Sequence, residues 1–249
     1  HKGNAFRLDW NKVIPSYKLT YIMGNPPFKG LSSLPAKDKA LKKEQTEDMD
    51  LVFGKLPKHG KLDYVSAWYE KAANMMQGTN IKTAFVSTNS ITQGEQVGIL
   101  WKHLFEDKNV TITFAYRSFV WNSEATMKAH VHCVIIGFTC TNYSGDVLLF
   151  EDEVANKKVV SYLNGYLTDF DNIYIQSRKS KPPFNMPEMH KGSQPTDGGG
   201  LILPPKEKDK FLSKYPNDSA LVDLYLGSNE LIKGKKRYCL WLKDISPAR

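Results

Sequence analysis

Apolar runs and amphipathic segments alternate along the first 140 residues, and their periods set the expected fold. Residues 21–23 and 83–87 are short runs rich in β-branched and aromatic side chains between turn signals, which predicts strands. Between them Val65, Trp68, Tyr69, Ala72 and Met76 recur at three- and four-residue spacing, the mark of one buried helical face, and residues 95–105 predict a second helix. Residues 110–116 and 130–138 follow with no helix-length segment between them and suit an antiparallel pair. A β-α-β-α rhythm of this kind implies an α/β fold, a mostly parallel sheet covered by helices. From about residue 142 the rhythm weakens, and Pro and Gly rise through Lys181-Pro182-Pro183-Phe184 and Gln194-Pro195-Thr196-Asp197-Gly198-Gly199-Gly200. A boundary is therefore expected between roughly 142 and 175, and we divide the chain at 1–150 and 151–249.

Composition narrows the class. With 249 residues, 41% of them hydrophobic, the chain can bury one sizeable core or two modest ones. No stretch reaches the roughly 20 apolar residues of a membrane span, so no membrane partner is expected. The formal charge of +8 suits a polyanionic partner, because cations that displace condensed counterions supply the sequence-independent part of DNA affinity. Cys133, Cys140 and Cys239 form no disulfide framework, and an odd count fits a reducing cytosol.

The candidate chemistry lies in Asn25-Pro26-Pro27-Phe28, which closes the first strand. An exocyclic amine conjugated to a ring is a poor nucleophile, since its lone pair is spread into the π system. Two acceptors on its two N–H groups localise that lone pair toward an electrophilic methyl group. Asn25 can supply one through its side-chain oxygen, and the Pro26 carbonyl the other. Pro26 and Pro27 fix φ and hold that carbonyl in a set direction, while Phe28 offers a ring on which a base can stack. A Pro-rich turn after a buried strand is the competing reading of the same four residues.

These residues carry a resemblance. Asn25-Pro26-Pro27-Phe28, the helical run Asp63-Tyr64-Val65-Ser66-Ala67-Trp68-Tyr69-Glu70-Lys71-Ala72 and the strand Thr83-Ala84-Phe85-Val86-Ser87-Thr88-Asn89-Ser90 resemble the later half of the catalytic domain of N6-adenine DNA methyltransferases. The run Asn89-Ser90-Ile91-Thr92-Gln93-Gly94-Glu95-Gln96, with Trp121-Asn122-Ser123-Glu124-Ala125 and Val131-His132-Cys133-Val134-Ile135-Ile136-Gly137-Phe138, is similar to the single-chain type II restriction–modification subgroup. The fold so implied is the C-terminal half of a class I S-adenosylmethionine-dependent methyltransferase sheet, Rossmann-like, followed by part of an α+β target-recognition domain. The glycine-rich turn that holds the cofactor after the first strand in that fold does not precede Asn25. The chain is thus expected to be a fragment with an incomplete site for S-adenosylmethionine, inactive by itself. The segment around Asn4 and Ala5 resembles the loop that contacts the cofactor's adenine, Asn4 standing where relatives often have Asp.

The resemblance also implies partners for the base. Trp121 falls where the family places an aromatic residue on the face of the flipped base opposite Phe28, and such stacking, worth about 1–3 kcal/mol, can largely offset the cost of unstacking. A core tryptophan at the sheet end is the plainer alternative, and Phe119 takes the role if the match slips by two positions. Asp63 is read as a helix N-cap or a cofactor contact. The charged stretch between Lys29 and Leu62 is either a loop or short helix closing on substrate or a solvated helical face. His130, His132 and Cys133 share a strand, but the pattern is too sparse for a metal, and none is assigned.

The last hundred residues are similar to the opening of the target-recognition region of the same enzymes. Arg178, Lys179 and Lys181, with Lys235, Lys236 and Arg237, are the candidate DNA contacts. The expected activity is therefore part of a prokaryotic, cytoplasmic enzyme that methylates adenine N6 in a specific site of double-stranded DNA. The alternatives are a DNA-binding module without catalysis, and an Asn-Pro-Pro methyltransferase acting on RNA or on protein glutamine.

Overall fold

Residues 2–28, 38–121, 131–151, 156–176 and 197–243 are described by the structure, a computed structural model. They form two compact units, 1–179 and 180–249.

In the first unit the short helix α1 (Trp10–Val13) precedes strand β1 (Tyr21–Gly24). Helices α2 (Lys39–Phe53) and α3 (Ser66–Met76) lead to β2 (Lys82–Thr88). A second helical stretch, α4 (Gly94–Gln96), a π-helical turn Val97–Trp101 and α5 (Lys102–Glu106), leads to β3 (Thr111–Trp121) and β4 (Val131–Thr139). Two strands that the sequence pattern did not separate, β5 (Val147–Phe150) and β6 (Lys157–Val160), complete a six-stranded sheet of order β1-β2-β4-β3-β5-β6. The division at 150/151 falls between these last two strands, while Leu163 and Leu167 are buried in the same core. β1 and β2 are parallel, β4 runs against both β2 and β3, and β3 and β5 are parallel. The C-terminal ends of β1, β2 and β3 therefore lie along one edge.

The helical spacing of α3 is realised as burial. Ala67, Tyr69, Ala72, Ala73 and Met76 are all sequestered, and Tyr69 stacks on Phe138 at 5.4 Å and meets Phe85 and Trp101 edge-on. Rings arranged this way add stabilisation beyond area burial. Trp101 is fully buried and donates Nε1–H to the Ile91 carbonyl at 2.9 Å. Gly165 is needed beside it, since a β carbon there would stand 2.7 Å from Trp101 Cβ and Cγ.

One buried carboxylate fastens α3 to α5. Glu70, 3% exposed, accepts from His103 Nε2 and Lys108 Nζ, each at 3.0 Å, and His103 Nδ1 meets Asp107 at 2.7 Å. Burial alone would raise the Glu70 pKa, but the hydrogen bonds from His103 and Lys108 outweigh it and hold the carboxyl below its usual range. The Glu70 bond raises His103 above the ordinary imidazole value against the effect of burial. A raised histidine contributes stability that is complete below its unfolded pKa of about 6.5 and is lost as pH rises through the folded value. His103→Gln is therefore expected to cost about 1.5–3 kcal/mol at pH 6, the range for a hydrogen bond to a charged group, and markedly less at pH 8.5. Denaturant unfolding at the two pH values checks this, and equal losses would contradict it.

The second unit carries a three-stranded antiparallel sheet of order β7-β9-β8, built from β7 (Ile202–Leu203), β8 (Val222–Tyr225) and β9 (Arg237–Leu240), with helices α6 (Pro205–Lys214) and α7 (Ser228–Lys233). Glu230 is its one buried residue among those described, and its carboxylate accepts from Gly227 N–H at 2.9 Å and Arg237 Nε at 2.6 Å. α7 is thereby tied to β9, and Gly234 ends the helix in the left-handed conformation, at φ 61°.

Candidate functional site

Strand β1 delivers Asn25-Pro26-Pro27-Phe28 to the C-terminal edge of the sheet, because Gly24 is the last residue in register with β2, opposite Phe85. Pro26 is buried and Phe28 half-buried, while Asn25 is exposed, with no hydrogen bond to its side chain among the described residues. Pro26 anchors the turn, and the amide is left available to a ligand.

The neighbouring elements converge on that edge. Asp63, just before α3, accepts from Ser90 Oγ, and its own N–H is donated to Gln96 Oε1 at 3.0 Å. It does not cap α3, whose N-cap is Val65 with no side-chain bond, so the N-cap reading of Asp63 gives way to a tie between the head of α3 and the turn after β2. Lys61 and Glu95 bridge the same two segments at 2.7 Å. Asn89 Nδ2 donates to Ser118 Oγ of β3 at 3.0 Å. A cleft of about 330 Å³ opens here, lined by Asn89, Thr92, Gln93, Arg117 and Thr168 among others.

Strand β3 reaches farther than its hydrophobic pattern predicted. After a register shift between Tyr116 and Phe119, pairing resumes with Phe119 opposite Cys133 and Trp121 opposite Val131. The polar pair Arg117-Ser118 interrupts the alternation in sequence, and the irregularity absorbs it in structure. Phe119 pairs with the residue that also faces Thr88 of β2, so Trp121 extends two residues past the end of that strand, on the edge that carries Asn25. The side chain of Trp121 lies outside the described residues.

The segment holding Asn4 and Ala5 is fixed by α2. Asp48, 1% exposed, accepts from Asn4 Nδ2, Arg7 Nε and Tyr64 OH, all at 2.8 Å. Burial would raise this carboxyl, but the three donors outweigh it and keep the pKa below the usual value. Over 39–53 the charged stretch is therefore not a wholly solvated face. It is a fifteen-residue helix that buries Gln45, Asp48, Met49 and Phe53. Residues 29–37 lie outside the described part.

The proposed DNA contacts divide. Arg178, Lys179 and Lys181 lie outside the described residues, as does His130. Lys235 and Lys236 are exposed in the turn between α7 and β9, whereas Arg237 is half-buried, bonds Glu230 and covers the Tyr225 ring at 4.9 Å. Among the described residues no group of three His, Cys, Asp or Glu could hold a metal ion. No helix in them is long and apolar enough to cross a membrane.

Two family profiles match, "MmeI, DNA-methyltransferase domain" over residues 1–151 and "MmeI, target recognition domain" over 169–249. The chain is 43% identical over 244 residues to DNA methyltransferase A of Bacillus subtilis (strain 168), covering 97% of this chain and 26% of that protein. It also superimposes, with a TM-score of 0.87 and 38% identity, on the type IIL restriction–modification enzyme MmeI in complex with DNA, over 100% of this chain and 32% of that one. The chain therefore spans about a quarter to a third of the length of these relatives.

Proposed function

The chain belongs to the MmeI family of DNA methyltransferases, with a methyltransferase domain followed by a target recognition domain, and from this we propose that it is the base-binding part of an enzyme methylating adenine N6 in double-stranded DNA. The observation that carries this reading is the exposed Asn25 amide at the end of β1, backed by a buried Pro26 and a half-buried Phe28.

Asn25 Oδ1 and the Pro26 carbonyl each accept one N–H of the amine, which turns its lone pair outward. Phe28 and Trp121 stack on the two faces of the extruded base, offsetting a flipping cost of a few kcal/mol. The amine proton leaves after transfer, so no poised histidine or glutamate is needed. When bound, S-adenosylmethionine supplies a sulfonium methyl group as the electrophile. Asn4 and Ala5 suit its purine, since an amide fixed by a buried carboxylate and beside a small side chain can meet the edge of a flat ring.

Lys235 and Lys236, both exposed, are the described residues that we assign to the DNA backbone in the target recognition domain. Lys235→Gln with Lys236→Gln is expected to lower the slope of log affinity against log salt by up to about 2 units, at about 0.9 for each phosphate no longer neutralised. Arg237→Gln should instead destabilise the unit, since it strips the buried Glu230 of its cation. Filter binding across a salt series, with a thermal melt of each variant, checks both. An unchanged slope after the double change would shift the phosphate-binding role elsewhere, first to Arg178, Lys179 and Lys181.

The reading is tested by offering labelled methyl donor with duplex DNA, RNA and glutamine-bearing peptides to the protein that carries this chain. Label entering DNA alone supports it. Label entering RNA or peptide would favour the wider Asn-Pro-Pro class, and DNA binding without any transfer would favour a binding module.

A further inference from the structure

Asn4 has both atoms of its carboxamide committed in a way that allows a single orientation. Its Nδ2 donates to Asp48, and its Oδ1 accepts from Phe6 N–H at 2.9 Å. An ionised carboxylate can only accept and a backbone N–H can only donate, so each partner alone selects the same orientation. Asn4 is half-buried and Asp48 fully buried, which leaves the outer edge of the amide to a ligand. That edge keeps one lone pair on Oδ1 beside one N–H on Nδ2. An acceptor next to a donor is the complement of adenine, whose amine donates beside a ring nitrogen that accepts. A carboxylate in place of this amide could satisfy only the amine.

We propose that Asp48 is a positioning residue that sets the purine specificity of the cofactor site, by locking Asn4 so that it pairs with a 6-aminopurine and rejects a 6-oxopurine. This rests on the reading of Asn4 as a cofactor contact. Asp48 reaches Asn4 from α2, 44 residues away in sequence, and its other oxygen is held by Arg7.

The geometry dictates what the neutral substitution Asp48→Asn does. Arg7 keeps the oxygen of the introduced amide, since a charge-assisted bond is the stronger demand, and the introduced NH₂ group then faces Asn4 and Tyr64. Tyr64 can rotate its hydroxyl to accept, but Asn4 can meet that donor only by turning over, which would set its Nδ2 against Phe6 N–H. Neither orientation then satisfies both partners, and the outer edge is no longer held in one pattern.

The experiment measures dissociation constants of S-adenosylhomocysteine and S-inosylhomocysteine by calorimetry on the protein that carries this chain. The wild type is expected to prefer the adenosyl compound about ten- to hundredfold, the discrimination of one bidentate pair. Asp48→Asn should bring the two affinities within a few fold of each other. Asn4→Asp combined with Asp48→Asn should restore much of the preference, because the carboxylate, moved to the outer position, accepts from the amide now on α2, from Phe6 N–H and from the amine. This exchanged pair decides the question even if the single variant does not fold. A merely structural Asp48 would weaken both ligands alike and leave their ratio unchanged, which overturns the proposal. A wild type that binds both compounds equally removes Asn4 from the cofactor site and the proposal with it.

Discussion

Asn25→Ala is expected to lower methyl transfer by at least about 10²–10³-fold while leaving DNA affinity close to the wild-type value. The side-chain oxygen acts where the amine's lone pair localises, so its loss falls on the transition state, and groups of this kind are worth about that factor. The fold should not suffer, because Asn25 is exposed and the turn is held by the buried Pro26. Single-turnover methylation and equilibrium DNA binding on the same preparation separate the two effects. Activity within a few fold of the wild type would remove Asn25 from the reaction.

The largest stability effect is expected at Trp101. Trp101→Ala removes a fully buried indole that packs on Tyr69 and Phe105, and such truncations cost about 3–5 kcal/mol. It also strips the Ile91 carbonyl of its donor, in the turn that carries Asn89 and Ser90 to the site. Trp101→Phe should recover most of the packing and leave that carbonyl unbonded. Its loss is therefore smaller in stability than in activity. Denaturant unfolding and methylation of both variants check this, and a Phe variant with unchanged activity would show that the indole serves packing alone.

The parts legible in sequence were those with a local period. The face of α3 through Tyr69, Ala72 and Met76, the runs of β1 and β2, and the adjacent antiparallel pair β3 and β4 all announce themselves within a few residues, and the family follows from motifs that lie on them. The end of β3 did not, because Arg117 and Ser118 break its alternation and pairing resumes only through a partner strand at Cys133. The role of α2 was hidden for a different reason. A run of lysines and glutamates reads as a solvated face, and nothing local marks Asp48 as the residue that Asn4, Arg7 and Tyr64 will bond. The same holds for Arg237, whose sequence context suggests a free cation and whose partner Glu230 is set by the fold of α7 against β9. Such pairings join residues through burial rather than spacing. β5 and β6 are as short as β1, four residues each, but no motif marks their ends as Asn25-Pro26-Pro27-Phe28 marks the end of β1.

Mass spectrometry of the nucleosides released from duplex DNA, after incubation with isotopically labelled S-adenosylmethionine and the protein that carries this chain, identifies the base and the atom that receive the methyl group. The label is expected to appear as N6-methyladenine and to be lost with Asn25→Ala. Label recovered as a methylated cytosine, or N6-methyladenine made at the wild-type rate by the Asn25 variant, would contradict that expectation.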